Sequence, residues 1–139
     1  MSKTQTKTVR NVTKVIYSDF FTDFSNHINT GQLNKKTNED AVKQSIRNLL
    51  LTDFYERPYQ PKIGSNLKAL LFRNFTMATE NSAKEYIKDV FEKHEPRAVL
   101  LNTNMVSSPD NNALQVSITF RIINSTVPAS LQFLIERVR

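Results

Sequence analysis

The sequence predicts an α+β fold in which an N-terminal strand and three helices pack on a C-terminal antiparallel sheet. Three observations carry that prediction. Val42, Ile46, Leu49 and Leu50 recur at helical spacing, as do Ala83, Tyr86, Ile87, Val90 and Phe91, so each set forms the apolar face of a helix. Leu114, Val116, Ile118, Phe120 and Ile122 alternate with Gln115, Ser117, Thr119 and Arg121, the period of a strand with one wet face. Between the two regimes stands Lys93-His94-Glu95-Pro96-Arg97, where the helix must stop because proline disfavours helical backbone in the residue before it.

Taken in order, Met1 to Lys14 is a basic arm rich in Thr, Ser and Gln, which we read as a flexible, solvated tail. Residues 15–139 then form one domain. Thr13 to Phe21 is dense in β-branched and aromatic residues and reads as a strand; whether it joins the C-terminal sheet stays open. Ser25 to Lys36 reads as a loop. Thr37 with Asp40 three residues on resembles a capping box, opening a helix over about Asn38 to Leu51. Asp53 to Gly64 holds Pro58, Pro61 and one of only two glycines, so it is not regular helix. Leu67, Leu70 and Leu71 mark a short helix over roughly Ser65 to Phe72, and the next helix starts at Thr79. Ala98 to Val106 is a strand paired with 114–122 through a hairpin turn at Ser107 to Asn112. A third strand follows Pro128, with Leu131, Phe133 and Ile135 on one face.

Bulk composition narrows the function. At 139 residues the chain is long enough for one core and too short for two. No apolar run approaches the roughly 20 residues of a membrane span, and the start of the sequence lacks the apolar core of a secretory signal. Without cysteine there is no disulfide framework, zinc–thiolate site or thiol nucleophile, which fits a reducing cytosol. Of the net charge of +6, the arm supplies Lys3, Lys7, Arg10 and Lys14. Basic arms can bind nucleic acid through its phosphates, but no aromatic residue is interleaved with these charges to stack on bases. Nucleic-acid binding is therefore the least favoured reading.

Catalytic chemistry is thinly represented. His27 lies in a polar stretch and His94 in the last turn of a helix, with no metal-binding spacing between them. No serine stands in a Gly-x-Ser-x-Gly elbow, and two glycines cannot build a glycine-rich phosphate loop. A glycosidase needs only two carboxylates across a cleft, and thirteen acids supply some such pair by chance. Glu80, Glu85, Asp89 and Glu92 read as the solvated face of a helix. We expect no enzyme activity, no metal and no cofactor.

One ordered set of motifs is more specific. Arg57-Pro58 followed by Pro61 and Gly64, then Leu67 to Phe75 with Thr76 and Thr79, then Glu95-Pro96-Arg97, resembles the baseplate wedge family of contractile phage tails and its type VI secretion counterparts. The resemblance covers about Leu49 to Ile123. It implies a structural component of the virion's tail baseplate, present in six copies and assembled in the host cytoplasm. It also implies docking onto other wedge proteins through Glu95, Pro96 and Arg97, and initiation of the tail sheath by strand addition at a sheet edge. We place that edge at Leu131, Phe133, Ile135 and Arg137, with Arg137 and Arg139 blunting self-association. The alternative is a lysozyme-like peptidoglycan hydrolase, a label the family often carries. The arm and the loop 25–36 match no family feature.

Overall fold

The computed structural model describes residues 14–108 and 113–136. The order of elements is β1 (Ser18–Phe20), β2 (Lys35–Thr37), α1 (Asn38–Leu51), α2 (Leu67–Leu70), α3 (Met77–His94), β3 (Ala98–Ser108), β4 (Ala113–Ile122) and β5 (Pro128–Glu136). This is the predicted α+β architecture.

The C-terminal sheet is an antiparallel meander in the order β3-β4-β5. On β4 the buried side chains include Leu114, Val116, Ile118, Phe120 and Ile122, the set that alternation selects. β3 keeps a single inward face only by means of a bulge. Its register shifts between Leu100 and Asn102, so the inward positions change from Ala98 and Leu100 to Thr103, Met105 and Ser107, leaving Leu101 exposed. An extra residue of this kind re-aims every side chain beyond it.

α1 buries Val42, Ile46 and Leu50, and α3 buries Ala83, Ile87, Val90 and Phe91, in one cluster with the inner face of the sheet. Phe91 and Phe120 meet at its centre, ring centroids 5.8 Å apart and inclined by 56°. That tilted geometry suits the aromatic quadrupoles. The helix face and the strand face thus share one core.

Several boundaries differ from expectation. The N-terminal strand shrinks to Ser18–Phe20 and pairs with Lys35–Thr37 in a separate two-stranded sheet. Residues 14–17 are drawn off by Asn38, whose Oδ1 accepts from the amides of Ile16 and Tyr17 at 2.8 and 3.3 Å. Lys35 and Lys36, expected in a loop, lie in β2. The capping box does not form: Thr37 makes no side-chain cap bond. Asn38 instead sits at φ +49°, a left-handed conformation asparagine tolerates because its short side chain bonds locally. α3 starts at Met77, capped by Thr76, while the Thr79 hydroxyl bonds Asn74 O at 2.8 Å. The short helix covers only 67–70, and Ser107 and Ser108 belong to β3, not the turn. Residues 109–112, the arm up to Thr13, Arg137 and Arg139 lie outside the described residues.

The segment 53–65 is irregular, as its prolines require, and is closed at its base. Ser65 N donates to Thr52 O at 2.8 Å and the buried Ser65 Oγ to Leu50 O at 2.6 Å. Gly64, at φ +139°, packs so tightly that a Cβ there would lie 2.6 Å from Thr52 O. Among the described residues no helix is long and apolar enough to cross a membrane.

Candidate functional site

Pro96 ends α3 at His94, and the chain reverses at once into β3. The Glu95 amide still reaches Phe91 O at 3.3 Å, and Ala98 N closes the turn on Glu95 O at 3.2 Å. Ile123 N then donates to Arg97 O at 3.0 Å, fastening the turn to the end of β4. The joint is held from both sides, as a proline-stiffened helix-to-strand junction should be.

Within it, Glu95 and Arg97 do not diverge. The Glu95 side chain is 1% exposed, and its carboxylate accepts from Arg97 Nε at 2.5 Å and Nη2 at 2.8 Å. This fork-on-carboxylate pairing is the strongest geometry available to arginine. The hydrogen bond to Glu95 raises the Arg97 guanidinium above its ordinary value, although partial burial opposes it. The cation is therefore permanent at any physiological pH. Arg97 remains 36% exposed, and its Nη1 group has no hydrogen-bond partner among the described residues. Of the three residues expected to touch a partner, Pro96 and Arg97 reach the surface. Glu95 does not; it is enclosed and sets the direction of Arg97.

Two further residues shape the site. The Arg97 guanidinium lies 5.4 Å from the centroid of the Tyr17 ring, within cation–π range. The Tyr17 hydroxyl accepts from Asn124 Nδ2 at 3.0 Å, and its backbone is pinned by Asn38. Thus the N-terminal segment, the turn after β4 and the Glu-Pro-Arg joint meet at one point. Tyr17 is separated from Arg97 by most of the chain, and no spacing in the sequence points to it. Asn38 left a fainter trace, since asparagine and aspartate are the residue types that, after glycine, occasionally visit the left-handed region.

Both β3 and β5 are edges of the three-stranded sheet. On β5, Phe133 and Ile135 are buried and Leu131 is half-buried, so these side chains face the core while the strand's outer main chain forms the rim. Arg137 lies outside the described residues. Beside β3, a groove of about 620 Å³ runs between the strand and α3 and is lined in part by Pro96, Val99 and Leu101.

Four acidic residues of the helices form surface ion pairs. Glu39, Glu80, Asp89 and Glu92 each pair with a lysine four residues away on the same helix, at 2.6 to 3.7 Å. In each of four surface grooves the lining includes a single carboxylate: Glu92, Asp89, Asp40 or Glu39. None of these grooves offers the two flanking carboxylates that glycoside hydrolysis uses. Among the described residues no group of three or more His, Asp or Glu side chains could hold a metal ion.

The family described as Baseplate wedge protein gp25 matches residues 36–127. Baseplate wedge protein gp25 of Enterobacteria phage T4 is 29% identical over 85 residues, covering 61% of this chain and 64% of that relative; the match thus spans less than two thirds of the T4 protein. A chain of the anti-feeding prophage baseplate superposes with a TM-score of 0.69 at 23% identity, covering 79% of this chain and 88% of that one. A structure described as a tail lysozyme from Geobacter sulfurreducens gives 0.61 at 22% identity, covering 70% and 89% respectively. A chain of the post-contraction pyocin R2 baseplate gives 0.51 at 16% identity, covering 82% and 98%. At these identities the structural likenesses establish the fold alone.

Proposed function

This chain belongs to the baseplate wedge protein gp25 family, and from that membership we propose that it is a structural part of a contractile tail baseplate. In this reading it docks onto neighbouring wedge proteins and starts the tail sheath. The observation that carries the docking step is the Glu95–Arg97 pair. A buried carboxylate holds two guanidinium donors of a partly exposed arginine and leaves the third nitrogen without a hydrogen bond among the described residues, beside an exposed proline. A surface arginine fixed in this way loses little conformational entropy on binding, so it suits recognition of a partner's carboxylate or main-chain carbonyl.

The rim of the sheet supports the sheath-initiation step of this reading. An edge strand offers unpaired main-chain groups to an incoming strand, and β5, with three inward apolar side chains anchoring it, is a rigid template. The chain acts in the virion's tail baseplate, in six copies, after assembly in the host cytoplasm.

The test is reconstitution of the tail from its wedge and sheath proteins with and without this chain. Omission should leave baseplates that fail to start sheath, and re-addition should restore it. Sheath growth of equal frequency in its absence would contradict the proposal. A peptidoglycan-hydrolysing role is not favoured, because each of the four grooves described has only one carboxylate in its lining; clearing of cell-wall suspensions by the pure chain would revive it.

A further inference from the structure

A second recognition surface lies apart from Arg97, in a groove of about 770 Å³ between β2, α1 and β5. Lys35, Lys36, Lys43 and Arg47 line it, with Asp40 as the one carboxylate. Glu39 occupies Lys43 at 2.7 Å, whereas Lys35, Lys36 and Arg47 have no carboxylate partner among the described residues. Neighbouring cations without counter-charges repel one another and raise a local positive potential.

Their positions are organised. The Lys36 ammonium lies 5.0 Å from the Phe21 ring centroid and that of Lys35 5.9 Å from Phe20, contacts that hold long side chains in place. On the same wall, Gln44 Nε2 donates to Phe20 O at 2.6 Å, which fixes the orientation of the amide. Its Oε1 is thereby left buried without a donor. Buried acceptors of this kind are rarely left unpaired.

We infer that this groove binds an acidic polypeptide segment of a neighbouring protein, its carboxylates over Lys35, Lys36 and Arg47. Charge complementarity selects the acid. Leu51 and Leu131, which also line the groove, favour a polypeptide with aliphatic side chains. Nucleic acid fits less well, because the phenylalanine rings carry ammonium groups over a face where a base would stack.

The experiment is two-dimensional NMR titration of the full chain with three probes: a glutamate–valine repeat peptide, its glutamine–valine counterpart and oligo-dT. The acidic peptide should shift amides of 35–37 and 43–48 together, with affinity falling as salt rises. Lys36→Glu/Arg47→Glu should weaken binding about tenfold or more, while the charge-matched control Lys62→Glu/Lys88→Glu should not. All four positions are solvent-facing or half-buried and should keep the fold, checked by the amide spectrum. Shifts confined to residues 1–14, equal weakening by both double variants, no binding of the acidic peptide, or preference for oligo-dT would each overturn the inference.

Discussion

Glu95 and Arg97 stand on either side of Pro96, yet their side chains close on one another in a two-pronged ion pair, the acid enclosed and the cation half at the surface. The joint is therefore at once a tie between helix and sheet and the mount for a partly exposed arginine. Stability and recognition are carried by the same residues, so variants must be chosen to separate them.

Removing one partner strands the other. Arg97→Ala leaves the Glu95 carboxylate buried without a donor, at an expected cost of about 2–3 kcal/mol, toward the low end for broken buried pairs because Arg97 is partly solvated. Glu95→Leu/Arg97→Met replaces both charges with apolar groups of similar size and should cost less than either single change. Urea denaturation of the three proteins checks the order.

Tyr17 should act on Arg97 from the margin of the core, against which it packs. Tyr17→Ala is expected to cost about 1–2 kcal/mol through the lost ring contact and the Asn124 hydrogen bond. It should also speed exchange of the Arg97 Nε–H seen by NMR, while Tyr17→Phe should cost only about 0.5–1 kcal/mol. Unchanged exchange in Tyr17→Ala would remove Tyr17 from the site.

The two glycines should respond differently. Gly64→Ala drives a Cβ against Thr52 O at 2.6 Å in a backbone conformation with φ +139°, so it should cost at least about 3 kcal/mol and loosen the 53–65 segment. Gly31, at φ +65° with open space around it, should cost about 1 kcal/mol as alanine. Thermal melts of the pair suffice.

The aromatic contact at the centre of the molecule predicts the largest loss. Phe120→Ala empties a site that is 0% exposed and removes the Phe91 contact, for about 3–5 kcal/mol. Leu134→Ala, on the exposed face of β5, should stay within about 0.5 kcal/mol. Denaturant midpoints would show it.

These residues also show what the sequence made readable. Period decided both long helices and β4, because Val42, Ile46 and Leu50 or Leu114 to Ile122 can bury one face in only one conformation. Pro96 fixed the end of α3 for a steric reason local to it. Helix starts were less legible: Thr37 looked like a cap but makes no cap bond, since Asn38 turns left-handed and spends its side chain on residues 14–17. The first strand was overextended because β-branched and aromatic content says nothing about whether a partner strand is within reach. At the site, the Glu-Pro-Arg order was visible but its geometry was not. Whether Glu95 points out or in depends on the space under the turn, and the ring that meets Arg97 comes from Tyr17, whose proximity is set by the tertiary fold alone.

The most direct test of the docking account uses the double variant that keeps the fold and lacks the guanidinium. The wild-type chain and Glu95→Leu/Arg97→Met are each co-expressed with the neighbouring wedge proteins and recovered by affinity purification. The account predicts that wild type carries its partners and that the folded variant loses them by about tenfold or more. Equal recovery of partners by both would contradict it and leave Glu95 and Arg97 as a joint between α3 and β3.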